Sequence, residues 1–276
     1  MSFFDKLFGN KKDKGNSVSV NVISNSVNRN SINQPVPKMP VSSGGVKLSK
    51  EESLKGVRLR KETVDKVCLG KKELNNLTAR VAVVLDYSVS MRELYYNDSV
   101  QTVLERLLPI ALKFDDNGQL EAWIFENGFN RLEDISIDNY YGYIENERIL
   151  KNYRMGGTNY SPVMVDVLEK YTIEDPSDMP TLVIFITDGD NYDKNRAREV
   201  MKEASKYPIF WQFVGLGDRN YSFLESLDEM TGRYIDNANF FAVDNIEKMS
   251  DDELYNKILS EYPDWIREAR NKNILK

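Results

Sequence analysis

From Arg80 onward the chain alternates short apolar runs with amphipathic stretches. Val81 to Leu85 and Leu182 to Ile186 are uninterrupted five-residue apolar runs, the pattern of strands buried on both faces. Between them, Val100, Val103, Leu104, Leu107, Leu108, Ala111 and Leu112 follow the spacing of a helix laid on a sheet. Gln119 to Phe125 reads as a strand, with a partner strand expected over Leu132 to Ile137 after a turn at Gly128. A loop holding Gly156 and Gly157 opens a helix with Val163, Val167 and Leu168. Asn195 to Lys206 reads as a helix, Pro208 to Gly215 as a strand, and Ser250 with Glu253 as the capping box of a C-terminal helical region broken at Pro263. Strand and helix in this alternation predict an α/β fold, a doubly wound, mostly parallel sheet with helices on both faces. The loops at Asp86, Thr158 and Asp188 then share one rim of that sheet.

The pattern changes towards the N-terminus. Residues 15–45 are rich in Asn, Ser and Val, carry Pro35, Pro37 and Pro40, and read as a disordered tether. Within them Val18, Val20 and Val22 alternate as an edge strand does, so this piece is a candidate for ordering on a partner. Phe3, Phe4, Leu7 and Phe8 share one face of a short helix beside Lys6, Lys11, Lys12 and Lys14, which gives residues 1–14 a route to a membrane surface or a docking partner. Residues 46–78 form a basic connector, in which Val46 to Lys50 and Val57 to Lys61 predict two short strands around a helical turn opened by Ser49 and Glu52. The expected organisation is a tail over 1–45, a connector over 46–78 and a folded domain over 79–276.

Composition narrows the chemistry. The 276 residues carry a formal net charge of −6, the wrong sign for coating nucleic acid. No histidine occurs, which removes histidine-based triads, imidazole general bases and histidine-ligated zinc. The single Cys68 allows no internal disulfide or thiolate cluster, and a cytoplasmic location is expected. No apolar run reaches the roughly 20 residues of a membrane span, and the start lacks the apolar stretch of a secretory signal.

Asp86, Ser88 and Ser90 stand at two-residue spacing where the first apolar run stops. One carboxylate and two hydroxyls on one side of an extended segment, at the carboxyl end of a sheet strand, suit a hard divalent cation. Taken singly, each polar loop also reads as a helix cap. The ordered set of DYSVSM, a Gly-Gly-Thr loop before a helix and a strand ending in ITDGD resembles the von Willebrand factor A (VWA) domain with its metal-ion-dependent adhesion site. The stretch LERLLPIALKFDDNGQLEAWIFENGFNRLEDISIDNYYGYI is similar to the tellurium-resistance and chemical-stress branch of that family, and VKLSKEE near Val46 resembles the opening of another domain type of the same systems.

The resemblance implies a Rossmann-like VWA fold over residues 79–276 and a ligand set of Asp86, Ser88, Ser90, Thr158 and Asp188. It also implies a role as a divalent-metal-dependent protein-interaction module, with other proteins of a stress system as partners. Two carboxylates balance a divalent ion while three hydroxyls add neutral oxygens, leaving a position for an Asp or Glu supplied by a partner protein. Few ligands and no bidentate glutamate cage favour Mg2+ over Ca2+, with Mn2+ chemically close. Asp190, Asn191 and Asp193 read as a solvated rim and a cap for the following helix. Two other readings stand beside this one. A magnesium-dependent phosphohydrolase would use a strand-end Asp pair, although Ser88 stands where a second Asp would be needed and no catalytic residue is assigned. A scaffold with a structural metal would bind through Tyr95, Tyr96, Tyr140, Tyr141 and Tyr143.

Overall fold

Residues 48–276, with the exception of Glu247, are described by the computed structural model. The expectations for the tail, the amphipathic start and Val46 lie outside the described residues. Six strands form one sheet: β1 (Arg80–Asp86), β2 (Glu121–Phe125), β3 (Phe129–Arg131), β4 (Thr181–Thr187), β5 (Ile209–Leu216) and β6 (Ala238–Val243), in the order β3-β2-β1-β4-β5-β6. All neighbours are parallel except β2 and β3, which form a hairpin. The doubly wound, mostly parallel sheet read from the sequence is the observed one. β1 and β4 lie side by side at its centre, with Leu85 opposite Ile186, and all seven residues of each are buried. A parallel strand covered on both faces needs this continuous apolar character.

Pleating sorts the side chains by parity. Val81, Val83, Leu85, Leu182, Ile184 and Ile186 point into a core shared with the helices Ser99–Phe114, Asp251–Ile258 and Tyr262–Asn271. The opposite face is aromatic: Phe185 lies 4.8 Å from Phe125, 4.9 Å from Tyr160 and 5.2 Å from Phe213 between ring centroids. The helices Ser161–Glu169 and Lys194–Ala204 pack against each other, and each buries its apolar residues.

Residues 50–69 correct the expectation of two short strands. They form a single 20-residue helix, α1 (Lys50–Leu69), which packs against the helices Ser99–Phe114 and Asp251–Ile258. Its capping box is the expected one: Ser49 Oγ accepts from Glu52 N, and Ser49 N donates to the Glu52 carboxylate at 2.9 Å. Ser53, Val57, Val64, Val67 and Cys68 form the buried stripe, sparse but at helical spacing. Leu59, which a strand would have paired with Val57 in alternation with Arg58, is 63% exposed. The short alternation among basic residues imitated a strand, while the deciding contacts, from Val57 and Val64 to distant helices, are tertiary.

Smaller differences have similar causes. The partner of β2 runs over Phe129–Arg131, earlier than expected. Beyond it Ile135 keeps one bridge to Leu120, and Asn139 turns the chain by accepting from Ser136 N. The C-terminal break falls between Ile258 and Tyr262, with Pro263 inside the first turn of the next helix, where a missing N–H costs nothing. A short helix at Ser222–Asp228 and strand β6 occupy a stretch for which the patterning predicted nothing.

Because Val64 is fully buried and Leu59 is not, Val64→Ala should lower the unfolding free energy by about 2 kcal/mol. Leu59→Ala should change it by no more than about 0.5 kcal/mol. Urea unfolding of the two variants checks this; equal effects would mean that α1 is not part of the folded core.

Candidate functional site

The site begins where β1 runs out of apolar side chains. Asp86 is its last residue and is fully buried. Its Oδ1 accepts from Ser88 N at 2.7 Å and its Oδ2 from Thr187 Oγ1 at 2.6 Å, while its carbonyl accepts from the Tyr95 hydroxyl at 3.0 Å. After Ser88 the backbone does not stay extended, because Val89–Met91 is a 3-10 turn. In a strand, residues two apart would sit about 7 Å from each other. The turn instead brings Ser88 Oγ and Ser90 Oγ to 3.0 Å. The two-residue spacing therefore works through a turn and not through the pleat expected from the sequence.

Ser90 Oγ donates to Asp188 Oδ1 at 2.8 Å, which joins the β1 loop to the β4 loop. Asp188 is 4% exposed, and Arg219 Nη2 lies 3.9 Å from its other oxygen. Thr158 comes from the third loop, which is tied to both others by backbone: Val89 N donates to Gly156 O at 3.0 Å, and Tyr192 N to Thr158 O at 3.0 Å. The structure thus links Asp86 to Ser88 through the serine's backbone N–H and Ser88, Ser90 and Asp188 to one another through side chains, and brings in Thr158 through its backbone. Among the described residues the Thr158 hydroxyl makes no hydrogen bond.

Gly156 and Gly157 allow that loop to approach the β2–β3 turn. A Cβ on Gly157 would stand 2.5 Å from Asn127 Oδ1 and 3.3 Å from the Tyr192 ring. Behind the loop, Asp193 corrects its expected role. Its carboxylate accepts from Tyr160 N at 2.9 Å and Ser161 N at 2.7 Å, so it caps the helix Ser161–Glu169 and makes no side-chain cap on its own helix. Burial works to raise the Asp193 carboxyl, but hydrogen bonds from Ser161, Tyr160 and Asn191 outweigh it and hold the group below the usual carboxylate range. No signal in the sequence marks a cap that acts across 33 residues. Asp190 meets Lys194 one helical turn away, as a solvated rim residue does.

Electrostatically the site is short of positive charge. Burial, opposed by hydrogen bonds from Ser88 and Thr187 and reinforced by the charge of Asp188, pushes the Asp86 carboxyl from 3.8 to about 6. A second carboxylate nearby makes ionisation costlier still. Among the described residues, Arg219 is the only cationic side chain within salt-bridge range of either acid, and it reaches Asp188 alone. The two carboxylates and two serine hydroxyls that these hydrogen bonds link are hard oxygens with a charge deficit, a chemistry that fits a small divalent cation, and the loop of Thr158 is tied beside them by backbone. Among the described residues no group of three or more carboxylates or thiols is placed to hold a metal ion, here or elsewhere, so the candidate set relies on hydroxyls beside its two acids.

The tyrosines of the aromatic-interface reading are mostly spent on packing. Tyr95, Tyr140 and Tyr143 are buried, and of the five only Tyr96 is well exposed. No motif marks Val89, Tyr192 or Arg219, which are exposed on the loops of the site, Arg219 within reach of Asp188. Their chemistry gives no pattern until the loops that carry them converge.

A buried carboxyl with a raised pKa favours the fold while protonated: that contribution is fully present below pH 3.8 and is lost as pH rises through about 6. In chelator, Asp86→Asn should therefore gain stability on the wild type between pH 4 and pH 7, by on the order of 2 to 3 kcal/mol. Paired unfolding curves across that range check this, and a pH-independent difference would contradict it.

The family model for the VWA domain found in the TerF C terminus matches residues 78–275. The uncharacterized protein YcbR of Bacillus subtilis (strain 168) is 45% identical over 223 residues, covering 80% of this chain and 90% of that protein. Among solved structures, the ArnB paralog VWA2 from Sulfolobus acidocaldarius aligns at 17% identity with a TM-score of 0.42, over 68% of this chain and 44% of its own. Proximal thread matrix protein 1 from the mussel byssus, with a zinc-occupied MIDAS motif, aligns at 17% identity with a TM-score of 0.45, over 67% of this chain and 46% of its own. This chain spans less than half the length of either structure. Domains of the VWA type are in general protein-interaction modules, and this chain belongs to the TerF-like branch of the VWA family.

Proposed function

We propose that the protein captures a partner through a divalent cation held by Asp86, Ser88, Ser90, Thr158 and Asp188, the partner contributing an Asp or Glu carboxylate. The observation that carries this reading is the run of hydrogen bonds from Asp86 to Ser88 N, Ser88 to Ser90 and Ser90 to Asp188, at 2.7, 3.0 and 2.8 Å. It gathers oxygen donors from two strand-end loops around a buried acid that lacks a counter-charge. A bound cation would supply that charge and act as a Lewis acid towards an incoming carboxylate. The residues divide the remaining work. Asp86, fixed by Ser88 N and Thr187, is the deep anchor. Asp188 and exposed Ser90 form the mouth, and Thr158 offers a hydroxyl that is not engaged elsewhere among the described residues.

Mg2+ is the proposed ion, because hydroxyls bound to a hard cation are tolerated in a small octahedral shell and only two carboxylates are present. Membership of the TerF-like branch supports a place in a tellurium-resistance or general stress-response system inside the cell, with other proteins of that system as partners. Among the described residues no helix is long and apolar enough to cross a membrane. A bound cation would also take the place of the basic residue that neither Asp86 nor Asp188 has hydrogen-bonded to it among the described residues.

Affinity capture from lysate with the full chain, in Mg2+ and then in chelator, tests this. Partners should be retained only with Mg2+. Asp86→Ala should lose at least about tenfold of that capture, in line with the loss of a charged ligand, while circular dichroism stays native-like. Capture that is equal in chelator, or unchanged by Asp86→Ala, would refute the reading.

A further inference from the structure

Arg219 stands apart from the oxygen donors. It lies on the loop after β5, its side chain is 57% exposed, and its Nη2 is 3.9 Å from Asp188 Oδ2. The backbone turn that carries it is fixed by its neighbours. Gly215 has no side chain, and a Cβ in its place would meet the Tyr221 ring at 2.6 Å. The Tyr221 hydroxyl donates to Leu216 O at 2.7 Å and to Gly217 O at 3.1 Å, and Gly217 takes a φ of 88° that favours glycine. The turn from β5 is therefore closed over a buried tyrosine, with Arg219 leaning on the acid at the mouth of the site.

Resting on the metal-site reading above, we propose that Arg219 is the specificity residue of the site: it opposes the cation on Asp188 and receives the second oxygen of the partner's carboxylate. The two acids of the site attract one cation or one guanidinium more readily than both, because the positive charges repel at this distance. When a divalent ion neutralises Asp188, the attraction holding Arg219 to that residue weakens. A carboxylate that gives one oxygen to the cation has another that needs a donor, and a planar guanidinium matches it.

The surroundings define the rest of the ligand. Val89, between the two site serines, is 54% exposed, and Tyr192, whose backbone binds Thr158 O, is 83% exposed. Val89 belongs to the β1 loop and Tyr192 to the β4 loop that also carries Asp188, and both loops are bonded to the Gly156–Thr158 loop. Asp218 adds a carboxylate next to Arg219, which disfavours a dianionic phosphate and suits a singly charged carboxylate. The partner segment that fits is a peptide with one Asp or Glu next to an aliphatic or aromatic residue. A phosphopeptide would carry too much charge for this rim.

Calorimetric titration of the full chain with MgCl2 alone, then with the blocked peptides Leu-Glu-Leu, Leu-Gln-Leu and Leu-phosphoSer-Leu in saturating Mg2+, tests the proposal in Arg219→Gln and Arg219→Lys. Arg219→Gln should bind Mg2+ roughly three- to tenfold more tightly, because a competing positive charge is gone, and should bind the Glu peptide at least about fivefold more weakly. Arg219→Lys should keep wild-type metal affinity and recover part of the peptide binding. The Gln and phosphorylated peptides should bind the wild type more weakly than the Glu peptide. Unchanged or weaker Mg2+ binding in Arg219→Gln, or a preference for the phosphorylated peptide, overturns the role of Arg219 while leaving the metal site standing. Failure of the wild type and of Arg219→Gln alike to take up Mg2+ overturns the metal-site reading and this inference with it.

Discussion

A buried carboxylate at the end of the central strand is the constraint around which this molecule is organised. Asp86 closes a strand whose seven residues are all buried, so its charge sits where the protein can least afford one. Two hydrogen bonds soften the cost but do not remove it, and its carboxyl is held at about 6. A hydrophobic residue there would pack without penalty. The acid, together with Asp188 at the end of the neighbouring strand, leaves the rim short of positive charge, and the proposed function rests on a cation that would supply it.

The sheet order explains why the demand is focused on one spot. β1 and β4 are adjacent, with Leu85 level with Ile186, so the residues that follow them emerge together at one edge. Two wound halves of the fold leave from that edge in opposite directions, the arrangement in which α/β sheets bind ligands. The loop holding Thr158 enters from the side, allowed close by Gly156 and Gly157. It is pinned between Val89 and Tyr192 by backbone hydrogen bonds. Aromatic rings fill the space below: Phe125, Tyr160 and Phe185 meet at 4.8 to 5.6 Å, and the Tyr160 hydroxyl donates to Gly189 O at 2.6 Å, tying that core to the β4 loop. The rigid part of the protein therefore reaches to within a residue of the candidate ligands.

Much of this was legible from the chain because the signals were local. Five-residue apolar runs ended at Asp86 and Thr187, and the three polar loops came in a fixed order. Ser49 and Glu52 announced the start of a helix correctly. What was not legible depended on distant partners. The identity of α1 was set by Val57 and Val64 meeting other helices, not by its own alternation of charged and apolar residues. Asp193 looked like a cap for the helix it precedes and instead caps the one that starts 32 residues earlier. The gathering of Ser88 and Ser90 depended on a turn that the spacing alone did not specify. Arg219 carried no motif, and only the closure of the β5 loop over Tyr221 puts it beside Asp188.

On the function proposed above, the charge deficit between the β1 and β4 loops is made good by a single hard cation. Electron paramagnetic resonance of Mn2+ titrated into the protein reads this directly, since bound and free ion give separable signals. One Mn2+ per chain, displaced by Mg2+ and lost in Asp188→Ala, is the expected result. No uptake at millimolar Mn2+, or uptake that survives Asp188→Ala unchanged, would contradict it.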